Sequence, residues 1–209
     1  MTAGGRAETL AALDVSRETA GRLDLLVAHL ARWNAAINLV GRSTLGEVWT
    51  RHILDSAQLL DLAPDGVRTW ADLGSGAGFP GLVIAILAAE RLRDLHVTLV
   101  EADRRKAEFL RSTARLCGVE ITVHADRIDA VPPLRADVVS ARALAPLTDL
   151  LGFAARHLRP GGAALFSKGA GHEAEIAAAL ERWRFSVQKH RSRTDRDSVV
   201  LRIGDIGRA

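Results

Sequence analysis

The sequence predicts an α/β protein: a doubly wound, mostly parallel sheet that ends in an antiparallel strand and is preceded by a helical extension. Short buried apolar runs alternate with helical stretches beyond residue 65, which is typical of a parallel sheet with helices on both faces. The final two strand-like runs, FSVQKH (185–190) and SVVLRI (198–203), have only RSRTDRD between them. Because this connection is too short for a crossover helix, the two strands are expected to pair antiparallel.

The helical extension is predicted over residues 1–64 and the sheet domain over residues 65–209. Within the extension, apolar residues recur every three or four positions from Ser16 to Ile37, which predicts an amphipathic helix. The pattern Thr44-Leu-Gly-Glu47 is a capping box. It predicts that a second helix begins there and ends near Asp61.

The sheet domain alternates predicted strands and helices. A turn at Pro160-Gly161-Gly162 is expected to lead into the fifth strand. The predicted strands are 67–73, 97–102, 121–124, 136–141, 163–168, 185–190 and 198–203. The predicted helices follow Pro80, run from Asp103 to Cys117 with Gly118 as the stop, follow Pro146, and run from His172 to Trp183.

Composition excludes several classes of protein. The chain has 209 residues, 48% of them hydrophobic, which suits one domain with a modest extension. Cys117 is the one cysteine, so an internal disulfide and a cysteine-cluster metal site are excluded. No apolar run reaches the ~18 residues that span a bilayer, and the N-terminus lacks a signal-peptide pattern. We therefore expect a cytoplasmic protein with no membrane contact and no metal, and a monomer, since nothing demands a partner chain. The net charge of +3 permits nucleic-acid binding.

The stretch WADLGSGAGFPGL (70–82) is a glycine loop between a predicted strand and a predicted helix. Phe79-Pro80 stands where a phosphate-binding P-loop has Lys-Ser or Lys-Thr, which disfavours ATP or GTP hydrolysis. The dinucleotide fingerprint places glycines at the first, third and sixth positions, and counting from Gly74 the sixth position is Phe79. The loop therefore reads G-x-G-x-G, which weakens a dinucleotide but leaves it open.

Two further polar features follow the next predicted strands. Glu101 ends the second strand, where an acid can accept hydrogen bonds from the ribose of any adenosine-containing cofactor. Residues 125–129 place a polar and apolar stretch after the third strand, where it could face an adenine ring. These positions favour a nucleoside-type ligand but do not separate NAD from S-adenosylmethionine.

Longer stretches resemble one known family. WNAAINLVGRST, RHILDSAQLL, DLGSGAGFPGL, VTLVEADRRKAEFL and the SARAL…SKG region are together similar to the bacterial small-subunit rRNA guanine-N7 methyltransferases of the RsmG (GidB) family. The resemblance spans most of the chain, and the RHILDS and GSGAGFPG pair is its most specific part. It implies a Rossmann-like methyltransferase sheet with an antiparallel strand, S-adenosylmethionine as cofactor, and 16S rRNA or the small ribosomal subunit as partner.

The resemblance also implies site residues. The expected cofactor contacts are Gly74, Gly76, Gly78, Phe79, Glu101, Ile128, Asp129 and Arg142, with Glu101 as the ribose-binding acid. The expected substrate-side residues are Asn38, His52 and Ser56, and Arg51 and Lys168 are added to them as basic residues that could contact RNA. Other candidates for RNA contact are Arg104, Arg105, Lys106, Arg191, Arg193 and Arg196. From helical periodicity alone, His52 is instead a core histidine bonded near Asp55 or to a backbone carbonyl. Phe79 and Trp49 are possible stacking surfaces for RNA, although a tryptophan on a helical stripe is more often a core residue.

The chemistry of such an enzyme makes few demands on side chains. Guanine N7 already carries an in-plane lone pair, so no proton has to be removed before attack, and alignment supplies much of the acceleration. This agrees with a sequence that offers no convincing base, nucleophile or metal pair. The fourth strand ends in Ser140-Ala141-Arg142, not in the Asn/Asp-Pro-Pro-aromatic loop of many amino-methylating enzymes. No catalytic residue is assigned.

Two alternatives stay open on the sequence. A methyltransferase for a small molecule would have a closed apolar pocket and would act without ribosomal particles. An NAD-binding protein or a non-catalytic RNA-binding protein would use the same glycine loop without transferring a methyl group.

Overall fold

The computed structural model describes residues 3–209, and it contains a seven-stranded sheet in the order β3-β2-β1-β4-β5-β7-β6. The strands are β1 Thr69–Leu73, β2 His96–Val100, β3 Ile121–His124, β4 Ala136–Arg142, β5 Leu158–Lys168, β6 Trp183–Arg191 and β7 Val199–Arg208. Strands β1 to β5 pair parallel, whereas β7 runs antiparallel to both β5 and β6. The predicted doubly wound sheet with its antiparallel end is confirmed.

Helices cover both faces of this sheet. They are α1 Ala3–Leu13, α2 Arg17–Ile37, α3 Asp55–Ala57, α4 Gly81–Arg91, α5 Arg104–Cys117, α6 Leu147–His157 and α7 His172–Leu180. Buried side chains of α2, α4 and α5 form one core with β1 and β2, and those of α6 and α7 form a second core on the other face. In the part of the chain that the structure describes, no helix is long and apolar enough to cross a membrane.

Local capping chemistry explains where several helices begin and end. Ser16 caps α2, its Oγ accepting a hydrogen bond from the amide of Thr19 at 3.2 Å. The Asp103 carboxylate accepts from the amides of Arg105 and Lys106 at 2.8 and 3.1 Å, and Gly118 ends α5 with φ +62°. These predicted boundaries are confirmed. Helix α1 was not predicted from the sequence. Met1 and Thr2, which begin the predicted extension, lie outside the described residues.

The predicted helix from Thr44 is wrong in form. A 3₁₀ segment, Arg42–Glu47, leads into a wide π-helical segment, Trp49–Leu54, and then into the single turn of α3 and a 3₁₀ turn at Leu60–Leu62. Thr44 is not the cap, because its hydroxyl donates to the carbonyl of Gly41 at 2.8 Å, inside a turn that has already begun. Isolated π turns are rare and occur most often at functional sites.

Two other boundaries differ from the prediction. The turn expected at Pro160–Gly162 lies inside β5, which already begins at Leu158, and the irregularity appears as a register shift opposite β4 with Gly161 at φ +75°. Helix α7 stops at Leu180, and Trp183 is the first residue of β6. Trp183 is buried, and the Arg208 guanidinium lies 3.9 Å from its ring centroid. The tryptophan thus packs as part of the hairpin.

Candidate active site

The carboxyl ends of β1, β2 and β4 surround a cavity of about 780 Å³. The neighbours of β1 are β2 on one side and β4 on the other, so chain connections leave β1 in opposite directions and open a crevice at this edge. We call this space the inner cavity. Its walls are formed by Leu39–Gly41, Thr44, His52, residues 74–77, Phe79, residues 100–102, Lys106, residues 126–129, residues 142–145 and Phe153.

The three glycines of the G-x-G-x-G loop have different surroundings. Gly74, Gly76 and Gly78 all have positive φ, at +64°, +52° and +83°. A Cβ on Gly74 would lie 2.5 Å from Leu144 Cδ1, and a Cβ on Gly78 would lie 2.3 Å from Leu82 Cδ1. At Gly76 the nearest atom would be the Gly74 carbonyl oxygen at 3.8 Å, so this glycine opens into the inner cavity. Gly78 is buried against α4 and does not line the cavity.

Glu101 is fixed by the backbone at the bottom of the inner cavity. Its Oε2 accepts from the amide of Gly76 and its Oε1 from the amide of Asp103, both at 2.8 Å. A carboxylate can accept about four hydrogen bonds. The remaining lone pairs can therefore receive hydroxyl donors from a ligand in the cavity, as a ribose-binding acid requires.

The opposite wall contains Ile128 and Asp129. Ile128 is half-buried and lines the cavity, while its carbonyl oxygen is 3.0 Å from His157 Nε2. The Asp129 carboxylate is exposed and paired with Arg127 at 3.0 and 3.1 Å. Both predicted residues therefore line the cavity: Ile128 offers an apolar surface, and Asp129 lies at the rim in an ion pair.

His52 and Arg142 line both the inner cavity and a second space, and Phe79, on the inner side, packs against both of them. The His52 ring is stacked on Phe79, with centroids 4.9 Å apart and an angle of 18° between the rings. The Arg142 guanidinium carbon lies 5.3 Å from the centroid of the same ring. We call these three side chains the aromatic partition. The predicted positions His52, Phe79 and Arg142 therefore meet in space.

The environment of His52 keeps its imidazole neutral. Burial, and then the positive charges of Arg142 and Arg51, lower the pKa of His52 to about 4. Its Nε2 is 3.2 Å from the Thr44 hydroxyl, whereas its Nδ1 is buried with no hydrogen-bond partner among the described residues. The hydrogen bond goes to Thr44, and the expected bond near Asp55 or to a carbonyl is not what holds the ring.

A larger space of about 1230 Å³ lies beyond the partition. We call it the outer cavity. Arg51 and Arg196 are exposed on its wall. Lys168 also lines it, but only 9% of that side chain is exposed, and its ammonium bonds to Glu175 at 2.7 Å and to the Ala145 carbonyl at 2.8 Å. Lys168 is therefore an anchor for the wall that both cavities share.

Three predicted positions lie elsewhere. Asn38 is exposed at the end of α2 with φ +44°, outside both cavity walls. Ser56 is buried, and its hydroxyl donates to the carbonyl of His52 at 2.5 Å, so it braces the wide turn. Trp49 is 4% exposed and packs within the core, as expected for a tryptophan on a helical stripe, and Phe79 is equally buried.

The basic candidates divide in a similar way. Lys106 lines the inner cavity, and Arg196 lines the outer cavity. Arg193 instead forms an exposed ion pair with Asp61 at 2.7 Å. Arg104 and Arg105 are exposed at the start of α5.

Asp72, which the sequence reasoning did not single out, supports the glycine loop from below. Its Oδ1 accepts from the Ser140 hydroxyl at 2.7 Å and its Oδ2 from the Gly81 amide at 3.2 Å. Burial raises the pKa of Asp72 to about 6, although hydrogen bonds from Ser140, Ser75 and Gly81 oppose the shift. The sequence does contain a sign of this role: Asp72 is a carboxylate within the apolar run just before Gly74, where an unpaired buried charge would be costly.

The sheet order with its antiparallel β7, the glycine loop after β1 and the acid after β2 are those of a Rossmann-like methyltransferase. A putative O-methyltransferase from Klebsiella pneumoniae has this fold, with a TM-score of 0.57, 16% identity and 92% of each chain covered. The chain belongs to the GidB family, rRNA small subunit methyltransferase G, whose family model matches residues 20–198.

Curated relatives agree over nearly the whole chain. Ribosomal RNA small subunit methyltransferase G of Cereibacter sphaeroides is 53% identical over 192 residues, covering 92% of each protein. The protein of the same name from Methylobacterium nodulans is 50% identical over 208 residues, covering 99% of this chain and 98% of the relative. The predicted family, enzyme class and cofactor are confirmed. Family membership favours this reading over the small-molecule, NAD-binding and non-catalytic alternatives.

Proposed function

We propose that the protein transfers a methyl group from S-adenosylmethionine to N7 of a guanosine in 16S rRNA. The observation that carries this proposal is the pair of adjoining cavities whose walls share His52 and Arg142. The inner cavity has a glycine opening and an acid with free lone pairs, and the outer cavity has exposed arginines. Membership of the small-subunit rRNA methyltransferase family supplies the substrate class.

The residues of the inner cavity suit the cofactor. Gly76 leaves its backbone open to a ligand, and Glu101 would accept from the ribose hydroxyls. Ile128 would contact the apolar face of the nucleoside, with Asp129 at the rim, and Gly74 shapes the loop against Leu144. When bound, the cofactor supplies a methyl group on a sulfonium, which is electrophilic without further activation.

The chain's own contribution to the chemistry is orientation. Because guanine N7 attacks with an existing lone pair, no side chain has to remove a proton first, and a correctly aligned in-line displacement gains most of its acceleration from placement. Buried Phe79 holds the neutral ring of His52 by stacking, and Arg142 holds a fixed positive charge beside the ring of Phe79. These three side chains would position the acceptor base and the donor relative to one another.

RNA would occupy the outer cavity. Arg51 and Arg196 would contact phosphates, since arginine forks match phosphate oxygens. A guanine within folded RNA has to be exposed or turned out of its stack before N7 can reach a donor in an enclosed site. The size of the outer cavity is compatible with a nucleotide together with its neighbouring phosphates.

We also propose how the chain is organised and where it acts. Residues 1–64 would serve as an extension that closes the cofactor site of the domain at 65–209, because Leu39, Thr44 and His52 contribute to the inner cavity. The protein would act as a monomer on the small ribosomal subunit in the cytoplasm, where that substrate is assembled.

A direct assay tests the proposal. Small ribosomal subunits and naked rRNA, both from cells that lack the modification, are incubated with the protein and labelled S-adenosylmethionine, and the RNA is then treated with borohydride and aniline, which cleave at N7-methylguanosine. One new cleavage in 16S rRNA is expected, and the Glu101→Ala variant should give none. Incorporation of label without any new cleavage would contradict N7 as the acceptor.

A further inference from the structure

The Asp55 carboxylate joins three segments that are far apart in sequence. It begins α3 directly after the wide turn at 49–54, faces Arg142 at the end of β4, and contacts the turn between β6 and β7. The partners are 87 and 137 to 139 residues away along the chain. The Asp55 side chain is 15% exposed and that of Arg142 is 19% exposed, so solvent screens their attraction weakly.

The two oxygens of Asp55 have separate tasks. Oδ1 accepts from Gln58 Nε2 at 2.8 Å and from the Thr194 hydroxyl at 3.0 Å, with the Ser192 hydroxyl at 3.4 Å. Oδ2 faces Arg142 Nη1 at 3.4 Å, and the same nitrogen donates to the carbonyl of Arg51 at 3.1 Å. One oxygen thus ties down the hairpin turn while the other holds the guanidinium.

The wide turn makes this arrangement possible. The Asp55 amide bonds to the carbonyls of Thr50 and His52 and passes over the carbonyl of Arg51, which receives Arg142 instead. The guanidinium therefore has two acceptors on one segment, a carboxylate and a carbonyl. They fix it beside the Phe79 ring, at the boundary that both cavities share.

We propose that Asp55 is a positioning residue for methyl transfer, acting through Arg142: it holds the guanidinium in the aromatic partition so that donor and acceptor base meet in line. This inference rests on the proposed function. Without the carboxylate, Arg142 loses its one ion-pair partner in the described part of the chain and is free to swing into either cavity. A displacement of about 1 Å at a reacting centre can cost roughly a hundredfold in rate.

Asp55→Asn is the test variant. The amide oxygen can still accept from Gln58 and Thr194, whereas the amide nitrogen would face Arg142 donor to donor. We expect kcat on ribosomal subunits to fall roughly tenfold to a hundredfold. The Kd for S-adenosylmethionine, measured by calorimetry, should change by a smaller factor than kcat, because Asp55 itself does not line the inner cavity and only Arg142, one of many residues in its wall, is released.

Two control variants separate positioning from support of the hairpin. Gln58→Leu removes the hydrogen bonds from Gln58 to Asp55 and from the Arg193 amide of the hairpin to Gln58, but it leaves the pair of Asp55 with Arg142 and lies outside both cavities, so it should keep kcat near the wild-type value. Asp61→Asn breaks the other ion pair between these segments, with exposed Arg193, and should also change kcat little. Equal losses of kcat for folded Gln58→Leu and Asp55→Asn would overturn the proposal.

A double-mutant cycle gives the decisive reading. If Asp55 acts through Arg142, Asp55→Asn should cost nothing further in an Arg142→Gln background. The same loss in both backgrounds would overturn the proposal, as would Asp55→Asn protein that is unfolded in both, since Asp55 would then support the fold independently of Arg142. A wild-type protein that binds S-adenosylmethionine but methylates no rRNA would instead refute the proposed function.

Discussion

Gly76 and Gly78 lie two residues apart in one loop, yet the structure predicts different consequences for the same substitution to alanine. Both have positive φ, +52° and +83°, which costs an L-residue about 1–2 kcal/mol. A Cβ at Gly76 meets no atom closer than 3.8 Å, but it projects where a ligand would approach. A Cβ at Gly78 would stand 2.3 Å from Leu82, a buried side chain of α4.

The magnitudes follow from these surroundings. Gly76→Ala should lower the free energy of unfolding by the backbone strain alone, about 1–2 kcal/mol. Gly78→Ala adds overpacking of about 1–3 kcal/mol, for a total of about 2–5 kcal/mol. In a chain of 209 residues, the additional loss should lower Tm by roughly 2–12 °C relative to Gly76→Ala.

Binding should follow the opposite order. A methyl group in the path of the cofactor at Gly76 should weaken S-adenosylmethionine by about tenfold or more, whereas folded Gly78→Ala protein should bind within a few-fold of wild type. Calorimetric unfolding and titration of the same preparations measure both quantities. Near-normal binding by Gly76→Ala, together with a Tm no higher than that of Gly78→Ala, would refute the assignment of Gly76 to the cofactor and Gly78 to packing.

Three further predictions concern pH, salt and the shared wall. Because the pKa of Asp72 is raised to about 6 in the folded protein, stability should fall by about 2–3 kcal/mol as pH rises from 4 to 6, and this slope should be absent from Asp72→Asn. The pKa of His52 is lowered to about 4 in the folded protein, so the stability contributed by its neutral ring should be lost as pH falls from 6.5 towards 4. This pH dependence is opposite in sign to that of Asp72, and urea titrations of His52→Gln should lack it. Replacing Arg51 or Arg196 with alanine should reduce the slope of log Kd for RNA against log salt by about one each, and unchanged slopes would place the phosphates elsewhere. Lys168→Met should lower the free energy of unfolding by roughly 1–3 kcal/mol, because it removes the bonds of the ammonium to Ala145 and Glu175. It should also weaken the binding of both S-adenosylmethionine and RNA, since Ala145 lies in the wall that both cavities share. Weaker binding of RNA alone would indicate a direct phosphate contact.

Local chemistry made much of the fold predictable. Asp103 and Gly118 begin and end α5 as expected, because a cap needs only the few residues beside it. The short RSRTDRD connection predicted the antiparallel pair β6–β7 for the same reason. The helical pattern of 49–54 did not predict the wide turn, in which the carbonyl of Arg51 bonds to Arg142, a residue distant in sequence.

The candidate site divides in the same way. Gly76 and Glu101 could be placed because each follows a strand, and parallel strands bring their ends to one edge. The roles of Asp55 and Lys168 depend on partners in other segments, and the spacing of residues in one segment cannot reveal them. Gly78 belongs to the glycine motif but packs against α4 and does not face the cavity, a difference that the motif alone could not reveal.

The most direct test of the central claim identifies the methylated nucleoside. Small ribosomal subunits that lack the modification are incubated with the protein and S-adenosylmethionine carrying a deuterated methyl group, and the nucleosides of the 16S rRNA are analysed by mass spectrometry. The account predicts deuterated N7-methylguanosine as the product, and none with Glu101→Ala. Deuterium on another nucleoside, or on guanosine at an exocyclic nitrogen, would contradict it.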